Sequence, residues 1–289
     1  MKIENQRYNI INEIGSHATE IAGRTCYKSV PGTDTSIAFQ RKMISLGHLS
    51  MLEFNTVYLK EIVPSFPSVD IKGTGKFLLD KYENNRYSQT VKKGPVKYVT
   101  TNYRVIIENN WLDDYTNFRI QYPSSDYARK FTVKFITSRA IANELVRHRN
   151  FSFAQESTRY CNYSMNKFDN EITFIMPGCV ELPPDLLDDK NHFNMSKFNR
   201  LTSCDPIVKG LIDSFYNSEK TYMDLINCQM RAQDARAVLP LATKTEIVMC
   251  GFASDWEKFF KLRDDSHAHP DMVALVHPLH DDMQRMGVK

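Results

Sequence analysis

The run from Phe131 to Arg149 constrains the fold more than any other part of the chain. Phe131 to Thr137 (FTVKFIT) alternates apolar and polar positions as a half-buried strand does. Ser138 then stands as an N-cap, and Ala140, Ile141 and Leu145 mark the buried face of a helix expected over Ser138 to Arg149. Strand signals recur at Glu53 to Val63 and Glu171 to Met176. Helical signals recur at Thr19 to Tyr27, at Ile37 to Leu46 ending on Gly47, and at Tyr98 to Trp111 entered through Thr101 and Asn102. A long amphipathic helix is expected over Ile207 to Met230, another over Ser254 to Leu262 capped by Ser254 or Asp255, and a last one after Pro270. The mixture places the chain in the α+β class, with a central sheet flanked by helices. Residues 64 to 98 mix Pro, Gly, Ser and Lys with short apolar groups, so the expectation is a single domain over 1–289 with an insertion at about 64–130. Pro177 to Asp189 reads as a loop, and there is no internal repeat.

With 42% hydrophobic and 25% charged residues, 289 positions are enough to bury a core. No apolar stretch approaches the roughly 20 residues that cross a bilayer, and MKIENQRYNI lacks the apolar run of a signal peptide. A cytoplasmic protein with no membrane partner is expected. The six cysteines are scattered, which suits free thiols. A net charge of +3 is too small for bulk attraction to nucleic acid, so no nucleic-acid partner is expected and any anion site must be local. Neither a GxGxxG fingerprint nor a P-loop occurs, and side chains must therefore hold much of any nucleotide.

Anion-binding residue types concentrate in Glu144 to Tyr160, ELVRHRNFSFAQESTRY. On a helix, Glu144 and Arg147 share a face while Arg149 lies well round from Arg147, so the two arginines can serve different ligands. If the chain is extended beyond, Ser157 and Arg159 fall on one side, a hydroxyl and a guanidinium that can converge on a phosphate. The blander reading is a solvated basic triplet that complements a helix C-terminus.

Arg147-His148-Arg149, seven residues, then Ser157-x-Arg159 resembles the signature of flavin-dependent thymidylate synthases. Gly47-His48-x-Ser50-x-x-Glu53, Ala235-Arg236 with Leu239-Pro240, and Phe259 to Ala268 (FFKLRDDSHA) resemble further elements of that family in the same order. The resemblance spans roughly Cys26 to Asp271. It implies a homotetramer with active sites shared between subunits. The reaction it implies moves a one-carbon unit from methylenetetrahydrofolate to C5 of deoxyuridine monophosphate (dUMP), reduces it with a flavin hydride and regenerates reduced FAD from NADPH. By the same resemblance, dUMP is held by Glu144, Arg147, Gln155, Ser157, Arg159, Arg236 and Arg263, with Arg263 the catalytic candidate. Flavin contacts fall to His48, Ser50, Glu53, Arg147, His148 and Arg149. An arginine at the oxygens of a pyrimidine stabilises the enolate-like charge that develops when hydride or carbon adds to the ring.

Departures from the family pattern bear on protons and on flavin. Ala154-Gln155-Glu156 stands where Asn-Glu-Gln is common, and Glu144 where the family has glutamine. The family's Asn-x-Arg flavin pair falls at Phe252 and Ser254, with Lys258 near a further usual Asn. Asn102-Tyr103-Arg104 could restore that pair from the insertion, or Asn102 could merely cap a helix. Three other readings compete. His267, His269, His277 and His280 crowd the C-terminal end, but no Glu or Cys stands at a ligand spacing, so no metal is expected. Cys161 could be a thiolate nucleophile activated by Arg159, or a small apolar filler. The same arginines with Phe151, Phe153 and Tyr160 would also suit a non-enzymatic nucleotide- or RNA-binding protein.

Overall fold

The computed structural model describes residues 1–33, 35–63, 77–201 and 204–288. In chain order the elements are β1 (Lys2–Glu4), β2 (Arg7–Ile11), α1 (Ser16–Tyr27), α2 (Ser36–Ser45), β3 (Thr56–Ile62), β4 (Gln89–Lys93), β5 (Val96–Asn102), α3 (Tyr103–Glu108), α4 (Leu112–Phe118) and β6 (Lys130–Ser138). There follow α5 (Arg139–Leu145), β7 (Ser152–Gln155), β8 (Thr173–Ile175), α6 (Met195–Phe198), α7 (Pro206–Asn227), α8 (Ala232–Ala235), β9 (Lys244–Phe252), α9 (Ala253–Arg263) and α10 (Pro270–Arg285).

The site is carried by a four-stranded antiparallel sheet in the order β2-β6-β9-β7. Its inner strand β9 lies between β6, with Ser138 opposite Lys244, and β7, with Gln155 opposite Ile247. Side chains alternate across a strand. Ile247 and Met249 therefore join Trp256, Phe259 and Phe260 of α9 and Leu275 and Leu279 of α10 in one core. Val248 and Cys250 face the other way, toward Ala18 and Ala22 of α1 and Met43 of α2. Trp256 is fully buried and donates its indole N–H to the carbonyl of Phe131 at 3.3 Å. Burying a side chain of this size stabilises by roughly 1.5–3 kcal/mol. Gly251 is required where Phe151 crosses β9, because a Cβ there would lie 2.4 Å from the phenyl Cδ1.

Mixed α/β architecture agrees with the expected class, but the strands form several sheets where one was expected. A three-stranded sheet, β3-β5-β4, has its own apolar cluster of Val57, Leu59, Leu79, Tyr82, Val99, Val105 and Ile106. β1 and β8 form a small parallel pair. Most of the expected insertion, from residue 77 on, belongs to the three-stranded sheet and its helices; residues 64–76 lie outside the described residues.

Some local expectations need correction. Tyr98 to Asn102 is strand, because Val96–Asn102 pairs with β3 on one side and β4 on the other; the helix begins at Tyr103. The helix expected to Arg149 ends at Leu145, though Ser138 caps it as read, its hydroxyl accepting from the Ile141 N–H at 3.3 Å. Neither Ser254 nor Asp255 caps α9. The strand runs straight into it, and the Ala253 N–H is met by the carbonyl of Arg129 at 2.9 Å. The Glu53 to Val63 strand starts at Thr56, after a 3-10 turn over Leu49–Phe54. Ser157 to Cys161 is a turn, with the Ser157 carbonyl accepting from Tyr160 and Cys161 N–H groups, so the common side expected of Ser157 and Arg159 in an extended chain does not exist. Among the described residues no helix is long and apolar enough to cross a membrane.

Candidate active site

Arg263, the last residue of α9, meets the end of α5. Its Nη1 bonds Glu144 Oε2 at 2.6 Å and its Nη2 the Glu144 carbonyl at 3.2 Å. Its Nε–H donates to Nε2 of His148 at 2.9 Å. The carbonyl contact is one that a helix C-terminus offers, since its last carbonyls lack helical partners. His148 sits edge-on to Phe259 with centroids 4.8 Å apart. Burial first, and then the Arg263 cation, push its imidazole down to about 4, so it is neutral at physiological pH and accepts from arginine. Three candidates, Glu144, His148 and Arg263, are thus held together.

Ser157 and Arg159, on the turn after β7, form a second group with Arg236, which reaches that turn from the end of α8. The Ser157 N–H donates to the carbonyl of Cys26 at the end of α1 at 3.0 Å, and its hydroxyl accepts from the Arg159 N–H at 3.3 Å. Arg236 donates to the Thr158 hydroxyl at 3.1 Å. Arg147, Arg149, Arg159 and Arg236 are exposed, and none is in an ion pair among the described residues. Exposed guanidinium groups without a carboxylate partner are suited to phosphate. No hydrogen bond joins this group to the Arg263 group among the described residues. Gln155 bonds Thr245 at 3.3 Å on the sheet face that carries Ile247.

The Gly47 to Glu53 element is divided by burial. His48 and Ser50 are exposed, and Nδ1 of His48 lies 3.5 Å from the Tyr27 hydroxyl. Tyr27 packs on Tyr160 at 5.0 Å, and Arg159 lies 5.7 Å from the Tyr160 ring, so aromatic contacts connect His48 to the signature turn. Glu53 is buried, its carboxylate taken by Arg104 and by the Ser152 hydroxyl. Arg104 also bonds Glu108 at 2.8 Å. Asn102 is fully buried and caps α3, accepting from the Val105 N–H at 3.1 Å.

Cys161 is buried, and burial followed by the charge of Glu156 pushes its thiol up to about 11, away from the thiolate. His277 and His280 both bond Asp264, at 3.0 and 2.6 Å, and His267 bonds Asp265 at 2.8 Å. Among the described residues, no group of three His, Cys, Asp or Glu side chains is placed to hold a metal ion.

A second charged group escaped the sequence reading. Lys28, Lys134, Lys244, Glu156 and Glu246 meet on the α1 side of the sheet. The signal was the alternation Lys244-Thr245-Glu246, legible only once β9 is recognised as a strand.

A family model described as thymidylate synthase complementing protein matches residues 127–286. That segment holds Glu144, the Arg147 to Arg159 signature, Arg236 and Arg263, and leaves out His48, Ser50, Glu53, Asn102 and Arg104. A flavin-dependent thymidylate synthase of Mycobacteroides abscessus is 30% identical over 143 residues, which are 48% of this chain and 51% of that protein. One from Mycolicibacterium gilvum is 32% identical over 143 residues with the same coverage. The chain spans about half the length of the curated relatives it matches. The solved UMP/dUMP methylase PolB from Streptomyces cacaoi, bound with 5-Br UMP, aligns over 99% of this chain and 92% of its own at a TM-score of 0.44 and 13% identity.

Proposed function

The chain belongs to the thymidylate synthase complementing protein family, and from that premise we propose that it methylates dUMP reductively to thymidylate, with methylenetetrahydrofolate as carbon donor and FAD and NADPH as the source of hydride. The observation that carries this reading is the junction of Arg263, Glu144 and His148. A guanidinium fixed on three sides by a carboxylate, a carbonyl and a neutral imidazole has lost most of its freedom before any ligand arrives. Such a preorganised cation opposes charge that develops on a pyrimidine oxygen without first reorganising. Arg159 and Arg236, in no ion pair among the described residues, suit the nucleotide phosphate, with Ser157 beside Arg159.

The donor set also fits a diphosphate-bearing flavin. Arg147 and Arg149 are exposed and in no ion pair among the described residues, and His48 and Ser50 face solvent, His48 beside Tyr27. FAD, when bound, supplies the hydride. Glu53 and Asn102 fit a supporting part: Glu53 fixes Arg104 and Ser152, and Asn102 holds the start of α3. The reading includes a homotetramer with shared active sites, in which one subunit's Arg263 serves a nucleotide held by another's turn; within one chain no hydrogen bond joins the two groups among the described residues.

Purified protein should absorb in the blue from bound flavin and form thymidylate from dUMP in the presence of NADPH and methylenetetrahydrofolate. Arg263→Ala should lower turnover by several powers of ten, as removal of an oxyanion donor worth about 3–4 kcal/mol does. Binding of dUMP by a colourless protein with no turnover would replace this reading with that of a nucleotide-binding module.

A further inference from the structure

On the sheet face turned away from α9, buried charges gather that the proposed reaction leaves unused. Alternation along β9 turns Lys244 and Glu246 to the side of Val248 and Cys250, which pack on α1. Glu156, just beyond β7, and Lys134 of β6 point the same way. Glu156 is 2% exposed and Glu246 6%. Lys244 bonds Glu156 at 3.3 Å and Glu246 at 3.0 Å, Lys134 pairs with Glu246 at 2.5 Å, and Lys28, at the end of α1, pairs with Glu246 as well. Tyr163 donates its hydroxyl to Glu156 at 3.1 Å. Arg139 adds another cation, bonded to the Glu156 carbonyl at 3.1 Å.

The ammonium groups of three lysines thus share the carboxylates of two glutamates. An ammonium has three N–H donors. Lys244 uses two on these carboxylates and Lys28 one, Lys134 meets Glu246 as an ion pair, and the remaining donors have no side-chain acceptor among the described residues. Burial, and then the neighbouring Lys244, hold the Lys28 ammonium below the ordinary lysine value. A poorly solvated surplus of positive charge is costly until an anion meets it.

These groups line a cavity of about 710 Å³, walled by Ile21 and Thr25 of α1 and by Phe168. That volume lies within the range of about 300–1,000 Å³ typical of small-molecule sites. Of the rim acids, Glu4, Glu20 and Asp169 are matched by Arg7, Arg24 and Lys2, Glu171 lies 3.6 Å from the Met1 ammonium, and Glu13 is exposed, so the floor lysines must rely on Glu156 and Glu246. We infer that this cavity is a binding site for a small molecule bearing a carboxylate or phosphate group, seated on Lys28, Lys134 and Lys244 and separate from the nucleotide residues of the Ser157 turn. The inference stands on the charges and the cavity alone and is independent of the proposed reaction.

Inorganic phosphate and succinate are the probes, applied to the full chain at constant ionic strength while thermal unfolding is followed. At least one should raise the melting temperature saturably; a response to phosphate alone identifies a phosphate ester site, and one to succinate alone a carboxylate site. Lys28→Met leaves equal numbers of ammonium and carboxylate groups in the floor and should fold. Lys28→Met and Lys134→Met should each weaken the responding probe by about tenfold or more, the worth of one charge-assisted hydrogen bond. Equilibrium dialysis of the probe, at a temperature where each variant is folded, gives the affinity apart from stability. No saturable shift, or the same affinity in both variants, would overturn the assignment. Displacement of the probe by dUMP would overturn its separation from the nucleotide residues.

Discussion

Replacing His148 by glutamine tests whether the imidazole is held neutral against Arg263. In the unfolded chain this histidine titrates near its ordinary value of 6.5, and in the folded protein only near 4. Between those values the unfolded state takes up a proton that the folded state refuses, so folding stability falls as pH drops from 6.5 toward 4 and the loss is complete below that. One pKa unit corresponds to about 1.4 kcal/mol, so a descent to pH 5 would cost about 2 kcal/mol for a group fully shielded from water. His148 is only partly buried, and solvent screening reduces the figure to about 1 kcal/mol. Glutamine keeps an acceptor for the Arg263 Nε–H and has no proton to gain. Urea unfolding, followed by the fluorescence of Trp111 and Trp256, should therefore show wild type losing about 1 kcal/mol more than His148→Gln between about pH 7 and pH 5. Carboxylates titrate in both proteins and cancel in the difference. An equal loss in the two proteins would refute a neutral, arginine-facing imidazole.

Other substitutions probe the surrounding structure. Gly251→Ala should cost about 1–3 kcal/mol, because the new methyl group meets Phe151 well inside contact distance, and an unchanged melting temperature would contradict that packing. Arg104→Ala leaves the buried Glu53 carboxylate with Ser152 alone and should destabilise by up to about 3 kcal/mol; flavin bound per folded molecule then shows whether Arg104 also touches the cofactor. Cys161→Ser should retain thymidylate formation, since its thiol is held near 11, and a folded, flavin-bound but inactive Cys161→Ser protein would restore the cysteine mechanism.

Where local chemistry determined the structure, the sequence was readable. Ser138 caps α5 and the apolar spacing from Val208 to Ile226 gives α7, each from residues within a few positions of one another. β9 was invisible for the opposite reason: buried on both faces, Ile247 to Cys250 shows a continuous apolar run and no alternation. Tyr98 to Asn102 has residues that suit a helix entry, but pairing on both sides makes it a strand. The site divides in the same way. Arg147, Ser157 and Arg159 stand close together in the signature and are named by its resemblance, whereas the contact of Arg263 with His148 joins positions 115 residues apart and could only follow from the fold.

The place of β9 also dictates an order of assembly. β6 can pair with β2 behind it but gains its second partner only about a hundred residues further along, and β7 joins the sheet only through β9. The β3-β5-β4 sheet closes over a much shorter stretch of chain. Because long loops must be closed before distant pairs reward the chain, this smaller sheet should gain hydrogen-exchange protection first during refolding. During synthesis, the edges of β6 and β7 that pair with β9 stay open until Phe252 has left the ribosome, an interval in which they can meet wrong partners. Pulse-labelled exchange that found β6 protected before β5 would contradict this order.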